Sequence, residues 1–200
     1  MPNFIRTLTL VLSPLLLAGC VVGQSLQTEY EPPAAVAPTT GLAVSLTVTD
    51  DRPYVKSGEK APYYIGRYRA GFGNPWDVST ANEEALVSIV RRDIAEELVA
   101  LGHPLKDAEV ADRGLAVSIR DWNFDGYQNG NFWYDLLVTV RSPTGDVLVN
   151  SVVKDKIGIT GTFWEGAKGG FERDMPKLYP QIIRKLVRDN ADVSAALRAP

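Results

Sequence analysis

The order of apolar and polar positions divides the chain before any motif is considered. Leu8 to Leu17 is almost wholly apolar, interrupted by Ser13 and Pro14. From Val21 to Thr40 that density gives way to Gln24, Ser25, Gln27, Pro32, Pro33, Pro38, Thr39 and Thr40, a polar, proline-bearing pattern that predicts a semi-extended tether. Strict alternation then begins. Leu42, Val44, Leu46 and Val48 face one way and Ala43, Ser45, Thr47 and Thr49 the other, which predicts a half-buried strand stopped by Asp50-Asp51-Arg52-Pro53. Tyr63 to Ala70 reads as a second strand, and Gly71-Phe72-Gly73-Asn74-Pro75 as the loop after it.

Helical spacing follows. Leu86, Ile89, Val90, Ile94, Leu98 and Leu101 form an apolar stripe, Thr80 and Glu83 have capping-box spacing at its start, and Gly102 and Pro104 close it. Between Leu115 and Tyr127 the alternation changes phase. Leu115, Val117 and Ile119 share one face and Trp122 and Phe124 the other, so a bulge or bend near Arg120 is needed to bring both sets to one side. Asn129-Gly130 predicts a hairpin turn, and Phe132, Tyr134, Leu136, Val138 and Val140 a return strand. Ser142 to Gly145 is a turn, Asp146 to about Thr160 a further strand, and Met175 to Asp189 a helix with Leu178, Ile182, Ile183, Leu186 and Val187 inward, after which Asp192 starts a short helix through Leu197. Three strands joined by short turns are antiparallel. The expected fold is therefore α+β: a mostly antiparallel sheet of about five strands with two main helices packed on one face, in one domain over residues 41–198.

Composition changes this picture little. In 200 residues a formal charge of −3 does not indicate a strongly basic nucleic-acid binder, and one cysteine with one histidine leaves out an intrachain disulfide, multi-cysteine metal sites and any site needing two imidazoles. No cofactor is expected. The position of that cysteine is informative. Arg6, the short apolar run and Leu17-Ala18-Gly19-Cys20 resemble a bacterial lipoprotein signal, so residues 1–19 are expected to be a signal peptide, and residues 20–40 an acylated Cys20 with its tether. The resemblance implies an outer-membrane address facing the periplasm of a Gram-negative bacterium, because Val21 rather than aspartate follows the cysteine.

Several patterns resemble chemical motifs. Asp121-x-Asn123-x-Asp125-Gly126 matches the first half of a calcium loop, but Phe132 stands where its closing glutamate belongs, and in a strand the three side chains line one solvent face. Gly166-Ala167-Lys168-Gly169-Gly170 lacks a phosphate-loop ending and reads as loop glycine, and His103 reads as a cation at a helix C-terminus. The pairs Asp50–Asp51 and Asp121–Asp125 are the available carboxylates for an acid–base reading. Aromatic residues gather at strand ends and loops, and Tyr64, Tyr68, Trp76, Trp122, Trp133 and Trp164 are the candidates for a partner-binding surface, since such rings bury area at little entropic cost.

Asp50-Asp51-Arg52-Pro53, Ile65-Gly66, Gly71-Phe72-Gly73-Asn74 and Leu101-Gly102-His103, behind an acylation signal, together resemble the YajG family of bacterial outer-membrane lipoproteins. The resemblance implies a lipid-anchored, periplasm-facing α+β domain and no catalytic residues. The expected function is that of a non-enzymatic outer-membrane lipoprotein binding an envelope partner, a protein complex or a glycan, through its aromatic loops or by strand addition at an open sheet edge. The alternative is a hydrolase that acts on envelope polymers with a carboxylate pair.

Overall fold

A computed structural model describes residues 24–26, 30–32, 41–69 and 75–198. The signal peptide, Cys20 and the Gly71–Asn74 loop lie outside the described residues. The fold is α+β, an open, mostly antiparallel sheet with its long helices on one face. In chain order the elements are β1 (Gln24–Leu26), β2 (Val44–Asp50), α1 (Pro53–Lys56), β3 (Tyr64–Arg69), β4 (Pro75–Thr80), α2 (Leu86–Ala100), β5 (Arg113–Gly126), β6 (Asn129–Arg141), β7 (Val147–Thr160), α3 (Gly166–Leu186) and α4 (Ala191–Arg198). Seven strands run in the order β1-β4-β3-β5-β6-β7, with β2 also on β5.

The spine is the β5–β6–β7 meander, whose long antiparallel ladders follow from short turns. The expected irregularity at Arg120 is there: the β5–β6 register shifts between Ile119 and Asp121. It turns Leu115, Val117 and Ile119 and then Trp122 and Phe124 to the same buried side. On the other flank β5 is shared. β2 pairs parallel with its first half and β3 parallel with its last three residues. The core lies between the inward faces of β5 and β6 and the stripes of α2, α3 and α4, with Trp122 packed edge-on against Phe132 and Tyr179.

Four local expectations give way to tertiary packing. The sheet gains β1 and β4, and Pro75 opens β4, a position where its missing N–H costs no ladder bond. Thr80 caps no helix. Its hydroxyl donates to the Glu84 carbonyl, a 3-10 turn follows with Asn82 and Glu83 at positive φ, and α2 starts only at Leu86. The β5–β6 turn is Tyr127-Gln128, and Gly130 already belongs to β6. A Cβ there would lie 2.8 Å from the Asp125 carbonyl oxygen, so close packing of the hairpin rather than turn geometry requires the glycine. Finally, α3 begins at Gly166, well before Met175, so the glycine run does stand between a strand and a helix. Gly170 has no room for a Cβ, which would come within 2.5 Å of the Thr160 carbonyl oxygen.

Two pieces of the segment expected to be a tether lie on the domain. β1 pairs parallel with β4 at the sheet edge, Gln24 opposite Val78 and Leu26 opposite Thr80. The Tyr30 hydroxyl donates to buried Glu97 on α2, which also receives Arg188 Nε at 2.5 Å. At the other end of the core, His103 turns its Nδ1 to the Leu42 carbonyl at 3.1 Å, so it joins the chain before β2 to the end of α2. Asn190, not Asp192, caps α4, its side-chain oxygen accepting from the Val193 amide at 3.3 Å.

Candidate functional site

The exposed face of the sheet carries the residues of the calcium-loop pattern on one solvent face of β5, as alternation expects. Each is engaged. Asp121 accepts from Trp133 Nε1 at 2.8 Å and from the Tyr54 hydroxyl at 3.2 Å. Asn123 accepts from the Tyr64 hydroxyl at 3.3 Å, and Asp125 holds Arg67 at 2.7 Å and Arg69 at 3.0 Å. The hydrogen bonds from Arg69, then Arg67, hold the Asp125 carboxyl below the usual carboxylate range. Asp50 and Asp51 diverge. Asp50 is clasped by the buried Arg52 at 2.6 Å, whereas Asp51 accepts from Ser118 at 2.6 Å and from Thr49 and Lys56. Those donors, Ser118 foremost, bring the Asp51 pKa down to about 2. Each carboxylate of the two pairs is thus held by donors of its own. The cross-strand neighbour of Asp121 is Asp135, bonded to Arg120, and both open onto a shallow depression of about 620 Å³ with Trp133, Lys154 and Lys156.

Among buried acids, Asp93 on α2 accepts from the Tyr179 hydroxyl at 2.6 Å and Arg92 Nε at 3.1 Å. Burial raises the Asp93 pKa, partly offset by those two donors, and pushes the Tyr179 phenol well up. Both lie inside the helix layer and tie α2 to α3.

The six aromatic candidates separate. Trp122 is 1% exposed and forms the centre of the core, so it has no surface to offer a partner. Tyr64 is also buried, edge-on to Tyr54, and its phenol is pushed up to about 12 chiefly by burial. Trp133 is half-buried on the exposed sheet face, bonded to Asp121. Tyr68, Trp76 and Trp164 share one end of the sheet. Tyr68 pairs with Trp76 across β3 and β4, and a Cβ on Gly166 would stand 3.1 Å from the Tyr68 hydroxyl. The Ala167 amide, in the first turn of α3, donates to the Tyr127 carbonyl at 2.8 Å. Around this junction Trp76 is 39% exposed, Tyr127 50%, Phe163 79% and Trp164 89%, the last two in edge contact with each other. Tyr127 and Phe163 belong to the rim as fully as the chosen residues. The turn chemistry on either side of them, Gly126 before one and Gly161 before the other, is the signal that places both at a loop tip.

The opposite end holds a groove that alternation alone did not reveal. Val44 exchanges backbone bonds with Pro104 and Lys106, at 2.9 and 3.0 Å, on the side of β2 away from β5. Backbone direction alternates along a strand, so Leu46 and Val48 turn their N–H and C=O groups to that same outer side. Among the described residues no strand continues the pairing that Leu105 begins. α2 flanks this edge with Ser88, Arg91, Arg92 and Ala95, spaced along one helix face. Leu105, Lys106 and Val110 form the far wall, enclosing about 790 Å³. Arg92 is bound to Glu84 and Asp93, while Arg91 and Lys106 make no ion pair among the described residues.

No family model matches the chain, and no curated protein matches it in sequence. Solved structures do resemble its fold. A Xanthomonas campestris protein of the DUF330 family superposes with a TM-score of 0.55 at 10% identity, covering 80% of this chain and 93% of that one. A hypothetical protein of Chlamydia trachomatis gives 0.45 at 11% identity over 78% and 98% of the two chains, and a minor lipoprotein of Acinetobacter baumannii 0.38 at 8% over 74% and 94%. The first is a likeness of fold. The other two are looser.

Proposed function

We propose that the chain is a non-enzymatic lipoprotein of the outer membrane, anchored through Cys20 and facing the periplasm, whose domain binds an envelope protein by taking up an extended segment as an added strand. The acylation signal and the YajG-like motifs support the address. The observation that carries the binding reading is the half-made ladder on β2: one rung to Leu105, then Leu46 and Val48 with their backbone groups outward, Leu46 lining a helix-flanked groove. A strand laid there gains main-chain hydrogen bonds for affinity, and the walls select its side chains. Leu105 and Val110 suit alternate apolar residues, and unpaired Arg91 and Lys106 suit acidic ones.

The test uses the purified full chain in detergent with three fluorescent octapeptides that alternate valine with glutamate, glutamine or lysine. The glutamate peptide should bind tightest, and amide exchange at Leu46 and Val48 should slow when it does. N-methylation of alternate peptide amides removes the ladder donors without touching the protein, and should abolish binding. Charge reversal in Arg91→Glu/Lys106→Glu should switch the preference to the lysine peptide. Equal binding of the N-methylated peptide refutes strand addition, and equal binding of all three charges refutes the role of the flanking cations.

A further inference from the structure

We infer that the rim of Trp76, Tyr127, Phe163 and Trp164 seats this end of the domain in the headgroup layer of the membrane that holds Cys20. The inference rests on the lipid-anchor reading and adds to it a contact surface, an occupant and an orientation.

The direction of β1 is the starting point. It runs parallel to β4, with Gln24 opposite Val78, so the chain enters β1 from the end of the sheet where β4 begins. That end carries Trp76, and through the β3–β4 and β3–β5 registers it is also the end of the β5–β6 turn and of the loop between β7 and α3. Cys20 precedes Gln24 by four residues, a span of at most ~14 Å in a fully extended chain. An acyl chain on Cys20 therefore holds this end of the sheet near the bilayer surface, and the domain is not free to hang from a long leash.

The surface presented there is suited to a lipid interface. Trp and Tyr rings favour the headgroup region because one edge is apolar and the other polar. Phe163 and Trp164 stand almost fully out of the protein, an unfavourable exposure in water that shallow insertion relieves. Arg67 and Arg69 share the carboxylate of Asp125, and Glu165 follows Trp164, so the contact rests on the rings rather than on charge. Tyr68 is opposite Gly126 and Leu46 opposite Leu115, so the β2 groove stands roughly 35 Å along β5 from the rim at ~3.3 Å per residue. A domain seated by its rim holds that groove out in the periplasm.

The experiment takes the full chain processed in cells, determines the mass of its N-terminal peptide, and reconstitutes it in vesicles of phosphatidylethanolamine and brominated phosphatidylglycerol. Bromine quenches only indoles that enter the lipid layer. Trp76 and Trp164 should be quenched and buried Trp122 spared, so Trp76→Phe/Trp164→Phe should lower the quenching by about threefold with an unchanged melting curve. Phe163→Ser/Trp164→Ser should lower it as well. A lipid mass on Cys20 with unquenched indoles, or equal quenching of the wild type and Trp76→Phe/Trp164→Phe, overturns the seat and leaves the anchor standing. An unmodified Cys20 overturns the anchor, and the seat falls with it.

Discussion

Replacement of Arg52 by methionine tests the least replaceable polar group of the fold. Its side chain is fully buried, and the Asp50 carboxylate it meets at 2.6 Å is only 11% exposed. It also donates to the carbonyls of Tyr64 at 2.5 Å and Pro62 at 2.8 Å, and so clasps the end of β2 to the chain that enters β3. Methionine fills much of the volume but leaves one carboxylate without its cation and takes the guanidinium donor from the Tyr64 carbonyl, while the Pro62 carbonyl keeps the Leu86 amide at 3.2 Å. Breaking a buried pair on one side costs about 3–5 kcal/mol, and the donor lost to the Tyr64 carbonyl is part of that cost. Taking about 4 kcal/mol, and about 3 °C per kcal/mol for a domain of this size, the melting temperature should fall by about 12 °C. Arg52→Lys should lose nearly as much, because an ammonium cannot present the guanidinium fork to three acceptors at once. Asp50→Asn/Arg52→Met should be more stable than the sum of its single changes, since the stranded charge is gone. Near-UV circular dichroism during heating and urea titration measures the wild type, Asp50→Asn, Arg52→Met, Arg52→Lys and the double variant. A fall of less than about 3 °C for Arg52→Met, or strict additivity in the cycle, refutes the clasp.

Neighbouring glycines in α3 should both resist replacement by alanine. Gly170→Ala should destabilise by about 1–3 kcal/mol despite the helix preference of alanine, because the new Cβ meets the Thr160 carbonyl oxygen at 2.5 Å. Gly169→Ala should destabilise as well, because the new Cβ meets the Glu165 Cβ, which is fixed to the backbone, at 2.5 Å. Urea midpoints decide both, and a gain in stability for either would be a refutation. Asp51 makes an acid-limb prediction. Its folded pKa, about 2, lies below its ordinary 3.8, so its contribution is complete above pH 4 and is lost as pH falls through 2. The side chain is 37% exposed, which reduces the contribution to about 1 kcal/mol. Asp51→Asn should flatten the stability profile between pH 4 and 2, and an unchanged slope there would refute the assignment. Tyr179→Phe should cost about 1.5–3 kcal/mol by unfolding titration, since it withdraws a donor from the buried Asp93 carboxylate. A loss under 0.5 kcal/mol would show that Arg92 satisfies Asp93 alone.

Legibility in the sequence followed the range of the interaction responsible. β5 and β6 were readable because burial on one side imposes a period of two, and the phase change at Arg120 is itself a local signal of the bulge. The stripe of α2 was readable for the same reason. What escaped depends on distant partners. β1 and β4 are short edge strands that exist by pairing with each other and with β3. The start of α3 hides behind glycines of poor helix propensity, which are there because the helix lies against the end of β7. Trp122 and Trp164 are the same residue type, but the bulge turns Trp122 into the core, whereas Trp164 stands in the loop before α3 and faces solvent. The β2 groove joins residues some sixty positions apart, Leu46 and Leu105, which no local window contains.

The hydroxyl of Tyr30 on Glu97 has a mechanical consequence. Tension arriving along the N-terminal segment meets first the three register pairs of β1 on β4, which are loaded in shear because the strands run parallel. If they slip, the load passes at Tyr30 into α2 and, through Glu97, to Arg188 at the junction of α3 and α4. The helical layer thus takes up part of the force, and the sheet takes the rest through β4, β3 and β5. A sacrificial edge in front of a braced layer lets the domain yield by a few residues under a tug and recover its shape when the tug ends.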